Sequence, residues 1–217
     1  MLRFLSGNGA ELSREMLLRL KQYRYAVFIE KLGWSLPVAG GLESDEFDHA
    51  DTLYVVALSQ RGDVTGCGRL LPTSGPYLLG SVFPGLMGNA ALPGASDVWE
   101  LSRFAISTPD DESLTAEQAW DNTRGLMAEI VRVAQRHGAQ RLIAFSVLGN
   151  ERLLRRMGVS VRRAAPPQLI DGKPTVPFWV AIDERTLDAL DLEAAPCRRE
   201  AAGPGLPAGV DCGMTAA

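Results

Sequence analysis

The chain has 217 residues, 46% of them hydrophobic and 22% charged, with a net charge of −4. That composition excludes wholesale disorder, and the length suits one domain with at most a tail. No apolar run approaches the ~20 residues that span a bilayer, no hydrophobic leader follows Met1, and an acidic chain lacks the basic footprint of a general nucleic-acid binder. The expectation is a cytoplasmic protein with no membrane span and no nucleic-acid partner.

In chain order, residues 2–5 read as a short strand. A helix follows from about Ser13 to Glu30, with Met16, Leu20, Tyr23 and Val27 on a core face, Leu17, Arg24 and Phe28 beside it, and Gly33 as the stop. Residues 35–51, rich in Pro, Gly and acids, read as a loop. Thr52–Ser59 and Val64–Leu71 read as paired strands across the turn Gln60-Arg61-Gly62-Asp63. A loop with short elements fills 72–97, and Val98–Ser107 is a further strand. Thr115 starts a long helix, with Gln118 completing a capping box and Gly138 ending it; Trp120, Thr123, Met127, Ile130 and Ala134 form its inner stripe. Then come a strand at Arg141–Leu148, a short helix at Asn150–Met157, and strands at Val159–Arg163 and Val176–Ile182. This order predicts one α/β domain over 1–192, a mixed central sheet with helices on both faces. The Ala/Gly/Pro-rich stretch 193–217 reads as a flexible tail.

Common cofactor motifs are missing. Gly66-Cys67-Gly68 is a lone GxG with Leu71 where a third glycine would stand, and neither a Walker A sequence nor a G-x-S-x-G elbow occurs. The cysteines Cys67, Cys197 and Cys212 and the histidines His49 and His137 have no metal-ligand spacing, so no metal site is expected. Cys67 with His49 is the one nucleophile pair on offer, and Cys67 suits a small apolar strand position better.

Three features carry chemistry. Glu100 and Arg103 lie inside the apolar strand Trp99-Glu100-Leu101-Ser102-Arg103-Phe104. Arg69 lies inside another strand, before Leu70 and Leu71. The segment from Glu43 to Asp51 has five acids and no Lys or Arg. Buried charges need partners, and these groups can supply one another. Two readings stand: a structural ion-pair network with a solvated acidic loop, or an acidic, partly buried pocket for a cationic substrate, walled by Arg24, Phe28 and Trp34.

Taken together, several stretches resemble the acyl-homoserine-lactone synthase family of autoinducer synthases over roughly residues 1–190. They are Tyr23–Phe28 with Gly33-Trp34, Asp45–Asp48, Gly66–Leu71, Gly75–Leu79 with Phe83-Pro84, and Trp99–Phe104. The resemblance implies a GNAT-like fold and a two-substrate reaction. An acyl group passes from an acyl-carrier protein or acyl-CoA to the amine of S-adenosylmethionine. The methionine carboxylate then closes the lactone and releases methylthioadenosine. S-adenosylmethionine is a substrate, and no cofactor is implied.

By the same resemblance, Glu100 is the expected base, direct or through water. Ser102 and Arg103 offer backbone donors for an oxyanion, and Asp45, Asp48 and Arg69 complete the charged site. Arg24, Phe28, Trp34 and Asp45 would hold S-adenosylmethionine. An apolar slot for the acyl chain is expected from Trp99, Leu101, Met127, Ile130, Phe145, Ser146, Leu148 and Phe178; Ser146 inclines it to an unsubstituted or 3-hydroxy chain. A basic surface over 141–163, with Arg152, Arg156 and Arg163, would dock an acidic carrier. Glu100 and Arg103 face opposite sides of a regular strand, so sharing one site requires a bulge between them. Two alternatives stay open: another GNAT-like N-acyltransferase, and a catalytically silent sensor on the same fold.

Overall fold

The computed structural model describes residues 2–36, 38–108 and 113–194. The chain opens with β1 (Arg3–Asn8) and α1 (Arg14–Arg24), capped by the Ser13 side chain, which accepts the Met16 N–H at 3.1 Å. The helix runs one residue beyond the expected end, but its last two turns, Tyr25–Lys31, are π-helical: the Leu32 N–H bonds back to the Val27 carbonyl. Such wide turns gather at functional sites. Gly33 ends the segment at φ +65°.

The expected loop 35–51 contains a small hairpin, β2 (Val38–Ala39) with β3 (Leu42–Glu43). Two-residue strands carry too little alternation to be seen in sequence. After them come β4 (Leu53–Leu58), β5 (Val64–Pro72), α2 (Leu78–Ser81), a 3₁₀ turn at Pro84–Met87, and β6 (Val98–Ile106). The capping box at Thr115 and Gln118 is present and opens α3 (Ala116–Arg136). The chain continues through β7 (Arg141–Val147), α4 (Leu148–Arg156), β8 (Val161–Arg163), β9 (Gln168–Ile170), β10 (Lys173–Ala181) and α5 (Glu184–Ala189). Neither β9 nor α5 was expected, and α4 begins two residues early, at Leu148. Leu192 still packs on the core, and residues 195–217, where the tail was expected, lie outside the described residues.

The main sheet has the order β1-β4-β5-β6-β7-β10-β8, with β9 also on β10. Its pairings are antiparallel except β6 with β7. Alternation sorts the side chains. Leu53, Val55, Leu70, Leu101, Leu142 and Val180 meet α3, α4 and α5 on one face. Tyr54, Val56 and Cys67 meet α1 on the other, where Leu71, Val98 and Ile143 pack with α2 and the 3₁₀ turn. With both faces covered, β4 is buried along its whole length, which explains its uninterrupted apolar sequence.

Two departures from regularity position the site. Between Cys67↔Ala105 and Arg69↔Ser102, two steps of β5 are matched by three of β6. This bulge centres on Arg103, a non-glycine residue at φ +51°. Next to it, β6 and β7 pair only from Val98↔Arg141 to Leu101↔Ala144, although both strands run on. The sheet opens there.

Candidate active site

Three arginines come from three elements: Arg24 from α1, Arg69 from β5 and Arg103 from the bulge. Their side chains converge with Glu43, Asp45 and Asp48, and none of the six is more than 8% exposed. Arg24 grips Asp48 with both terminal nitrogens, at 2.7 and 2.9 Å, and bonds Glu43 through Nε. Arg69 clasps Asp45 with its fork, reaches Asp48 at 3.1 Å, and donates from Nε to the Ser102 hydroxyl at 3.0 Å. Arg103 links Glu43 to Asp45, each at 2.8 Å. Tyr54 donates its hydroxyl to Asp48 at 2.9 Å.

Planar forks matched to carboxylates are the strong form of this interaction. Burial alone would raise the carboxyl pKa values of Asp48 and Glu43. The hydrogen bonds and charges of their arginines outweigh it and hold both below the usual range. Burial likewise works against the Arg24 and Arg69 charges, and their bonds to Asp48, Glu43 and Asp45 raise both pKa values instead. Three cations face three anions, so the cluster is neutral. The acids expected to face a cationic substrate are already matched from within the protein.

Glu43 was not singled out in sequence. The signal was arithmetic: three arginines in apolar segments need three partners, Asp45 and Asp48 supply two, and Glu43 opens the same acidic run. Tyr54 was hidden in an apolar strand.

In front of the cluster lies a cavity of about 410 Å³. It runs through the opening between β6 and β7, from Phe28 and Trp34 on the π-helical side to Leu153, Leu154 and Thr123 on the α3–α4 side. The unpaired strand halves, Ser102–Ile106 and Phe145–Val147, line it, together with Leu101 and Phe178. Phe28 and Trp34 pack ring to ring at 5.1 Å. A second cavity of about 150 Å³ adds Leu78, Phe83 and Ile170 and shares Trp34, Arg103, Phe145, Ser146 and Lys173 with the first. Ser146 accepts a hydrogen bond from Asn150 at 2.7 Å.

The structure thus brings Phe28, Trp34, Leu101, Ser102, Arg103, Phe145, Ser146 and Phe178 to one space. It places the others elsewhere. Arg24, Asp45, Asp48 and Arg69 stand behind the wall in the ion cluster. Met127 and Ile130 are fully buried under the sheet, where Ile130 fills the space a Cβ on Gly68 would need. Trp99 packs near His137, at 5.6 Å, and Leu148 starts α4 against the core. Both pack, partly buried, against the core: Trp99 shares a strand face with Leu101 but lies where β6 is still paired with β7, opposite Leu142, before the sheet opens. Thr123, Leu153 and Leu154 were missed, since a lining residue and a core residue look alike in sequence.

Glu100 is fully buried and lines neither cavity. Its carboxylate accepts the Leu78 N–H at 2.9 Å and the Leu79 N–H at 2.6 Å. Cys67 is no nucleophile: burial pushes its thiol up to about 12, and its Sγ donates to the Arg103 carbonyl at 3.0 Å, while His49 is solvent-exposed.

The family model described as autoinducer synthase matches residues 8–189. The chain belongs to the autoinducer synthase family. An acyl-homoserine-lactone synthase of Ralstonia nicotianae is 41% identical over 194 residues, covering 88% of this chain and 94% of the relative. The solved structure of TofI in a ternary complex with an inhibitor and MTA superimposes with a TM-score of 0.79 at 40% identity, covering 90% of this chain and 100% of TofI. BjaI, a CoA-dependent acyl-homoserine lactone synthase solved with SAM and isopentyl-CoA, superimposes with a TM-score of 0.77 at 26% identity, covering 88% of each chain. As a member of this family the chain is an acyltransferase with a GNAT-like fold.

The ion cluster of this autoinducer synthase makes a pH-dependent prediction. Asp48 and Glu43 have folded pKa values below their unfolded ones, so their contribution to stability is complete above about pH 4 and is lost as pH falls further. Asp48→Asn leaves Arg24 and Arg69 each short of a carboxylate and should cost about 3–5 kcal/mol at pH 7. Thermal melts should show the gap to wild type narrowing as wild-type Asp48 takes up a proton in acid. A gap that stays constant with pH would contradict this assignment.

Proposed function

We propose that this chain makes an N-acyl-homoserine lactone from S-adenosylmethionine and an acyl thioester. The observation that carries the reading is the cavity through the opened sheet, aromatic at one end, apolar at the other, with the Arg103 bulge between them. Support comes from relatives whose structures hold MTA, or SAM with isopentyl-CoA.

Phe28 and Trp34 suit a ligand that is both an adenosine and a sulfonium, by stacking and by cation–π attraction. With the acids behind the wall neutralised, these rings are what the cavity offers a positive sulfur. The acyl chain would lie between Leu101, Phe178, Leu153 and Leu154. That brings its thioester carbonyl to the bulge, where the backbone N–H groups of Ser102–Arg103 would receive an oxyanion. The amine nitrogen then bonds the acyl carbon and the thiolate leaves. Next the methionine carboxylate attacks the carbon attached to sulfur, closing the lactone as methylthioadenosine departs. The test is product analysis with purified chain. Lactone and methylthioadenosine should form in equal amounts; an acylated amine without methylthioadenosine would mean a different N-acyltransferase.

The donor carrier is a finer question. Arg152 is exposed, Arg156 lies over the Trp120 ring at 5.0 Å, and Arg163 is paired with Glu151 at 2.8 Å. Nearby, Arg141, Arg155, Arg162 and Arg185 surround a groove of about 460 Å³. This basic surface supports docking of an acidic acyl-carrier protein. Reversing Arg152 and Arg156 together to Glu should raise KM for the carrier-bound donor and flatten its salt dependence, leaving KM for S-adenosylmethionine unchanged. If both donor parameters stay as in wild type, the natural donor is a small thioester such as acyl-CoA or docks elsewhere.

A further inference from the structure

We propose that Glu100 is a positioning residue that builds the wall of the smaller cavity, beside Trp34, through Leu78 and Leu79, and that it takes no proton from the attacking amine; this rests on the acyl-transfer reading above.

The geometry leaves Glu100 little else to do. Its side chain is fully buried, and it lines neither cavity. Each carboxylate oxygen already accepts a backbone N–H, from Leu78 and from Leu79, at the start of α2. A base must reach the proton it removes, directly or through one water, and these lone pairs point into the segment leading to α2. What the contact fixes is visible. Leu78 is part of the smaller cavity's wall, facing Phe83 and Phe145, and Leu79 is sealed in the core. The segment that Glu100 holds is otherwise tied down by Tyr77, whose hydroxyl donates to the Pro93 carbonyl at 2.7 Å. A buried carboxylate satisfied by two amides is a strong local anchor.

Other charged groups around Glu100 do not turn it into a base. Burial raises the Glu100 carboxyl pKa above its usual value; the Leu79 and Leu78 amides and the charges of Arg69 on β5 and Arg103 on β6 oppose that only in part, and the hydrogen bonds of both arginines go to Ser102 and the three acids of the cluster. Tyr77 is a further titratable neighbour, and burial together with the Glu100 charge raises its pKa. Among the described residues no carboxylate lines the larger cavity, and Asp171 is the one acid on the smaller. The nucleophile is then the neutral fraction of the substrate's own amine. After the C–N bond forms, its proton passes to solvent as the thiolate departs.

Three measurements test this. The first is the pH profile of kcat/KM for S-adenosylmethionine in Glu100→Gln, which should keep the wild-type acid limb, near the ~7.7–8 of an α-amine. The second is steady-state kinetics of Glu100→Gln and Leu78→Ala. Both should raise KM for S-adenosylmethionine about tenfold with kcat little changed, because Leu78 shares its cavity with Trp34, although Leu78 has no proton chemistry. The third is hydrogen exchange, where the Leu78 and Leu79 amides should exchange at least about tenfold faster in Glu100→Gln while the sheet keeps its protection. The exchange arm reads positioning even in a chain that forms no lactone, so failure of this proposal and failure of the acyl-transfer reading are separable. Loss of the acid limb in Glu100→Gln, or unchanged exchange at Leu78 and Leu79, would overturn the proposal. If Glu100→Gln does not fold, a wild-type KM for S-adenosylmethionine in Leu78→Ala would overturn it equally.

Discussion

The rest of the site depends on one interaction, the closed cluster of three arginines and three carboxylates behind the cavity wall. Its members come from four parts of the chain: α1, the β2–β3 hairpin and its loop, β5 and the β6 bulge. Neutral overall and almost dry, it has few alternatives, because a carboxylate or guanidinium that loses its partner there is stranded without water. Swapping such a cluster for packed apolar residues can be neutral for stability. What it supplies is position. It fixes Arg103 in a left-handed conformation on a strand and thereby fixes the bulge. It also holds the π-helical end of α1, with Phe28, at a set distance from β6.

The bulge and the opened sheet are two expressions of one constraint. An extra residue on β6 ends its parallel pairing with β7, and the space between the strands becomes the cavity. One ladder partner at the bulge is replaced by a side chain, as the Cys67 thiol donates to the Arg103 carbonyl, and Arg69 holds the neighbouring Ser102 hydroxyl. A catalytic gap in the middle of a sheet is thus stabilised by side chains that never enter it.

Much of this was legible in the sequence. Arg69 and Arg103, inside apolar strands, had to find anionic partners, and Glu100 and the acidic loop were the groups on offer; the structure pairs both with the loop. A bulge was expected if Glu100 and Arg103 shared one site; the bulge is present at Arg103, but Glu100 turns to the Leu78 and Leu79 amides and does not share the site. The capping box at Thr115 and the apolar run of β4 fixed the long helix and a central strand. The rest was hidden for physical reasons. The β2–β3 hairpin is too short to alternate, and a π-turn has the same composition as an α-turn. Cavity lining is not separable from core until strands are paired, so Met127, Ile130, Trp99 and Leu148 looked as suitable as Leu101 and Phe178. Glu100 was visible as a buried charge, but its partners are backbone amides, which carry no sequence signal.

A double-mutant cycle between Glu43 and Arg103, read in kcat/KM, tests the claim that the cluster acts as one positioning unit. Glu43→Gln removes the carboxylate shared by α1 and the bulge, and Arg103→Lys keeps the charge but loses the planar fork. A single unit predicts that the double variant loses little more than the worse single variant, with a coupling of at least about 1 kcal/mol. Losses that add to within about 0.3–0.5 kcal/mol would show the two residues acting independently, and would contradict the account.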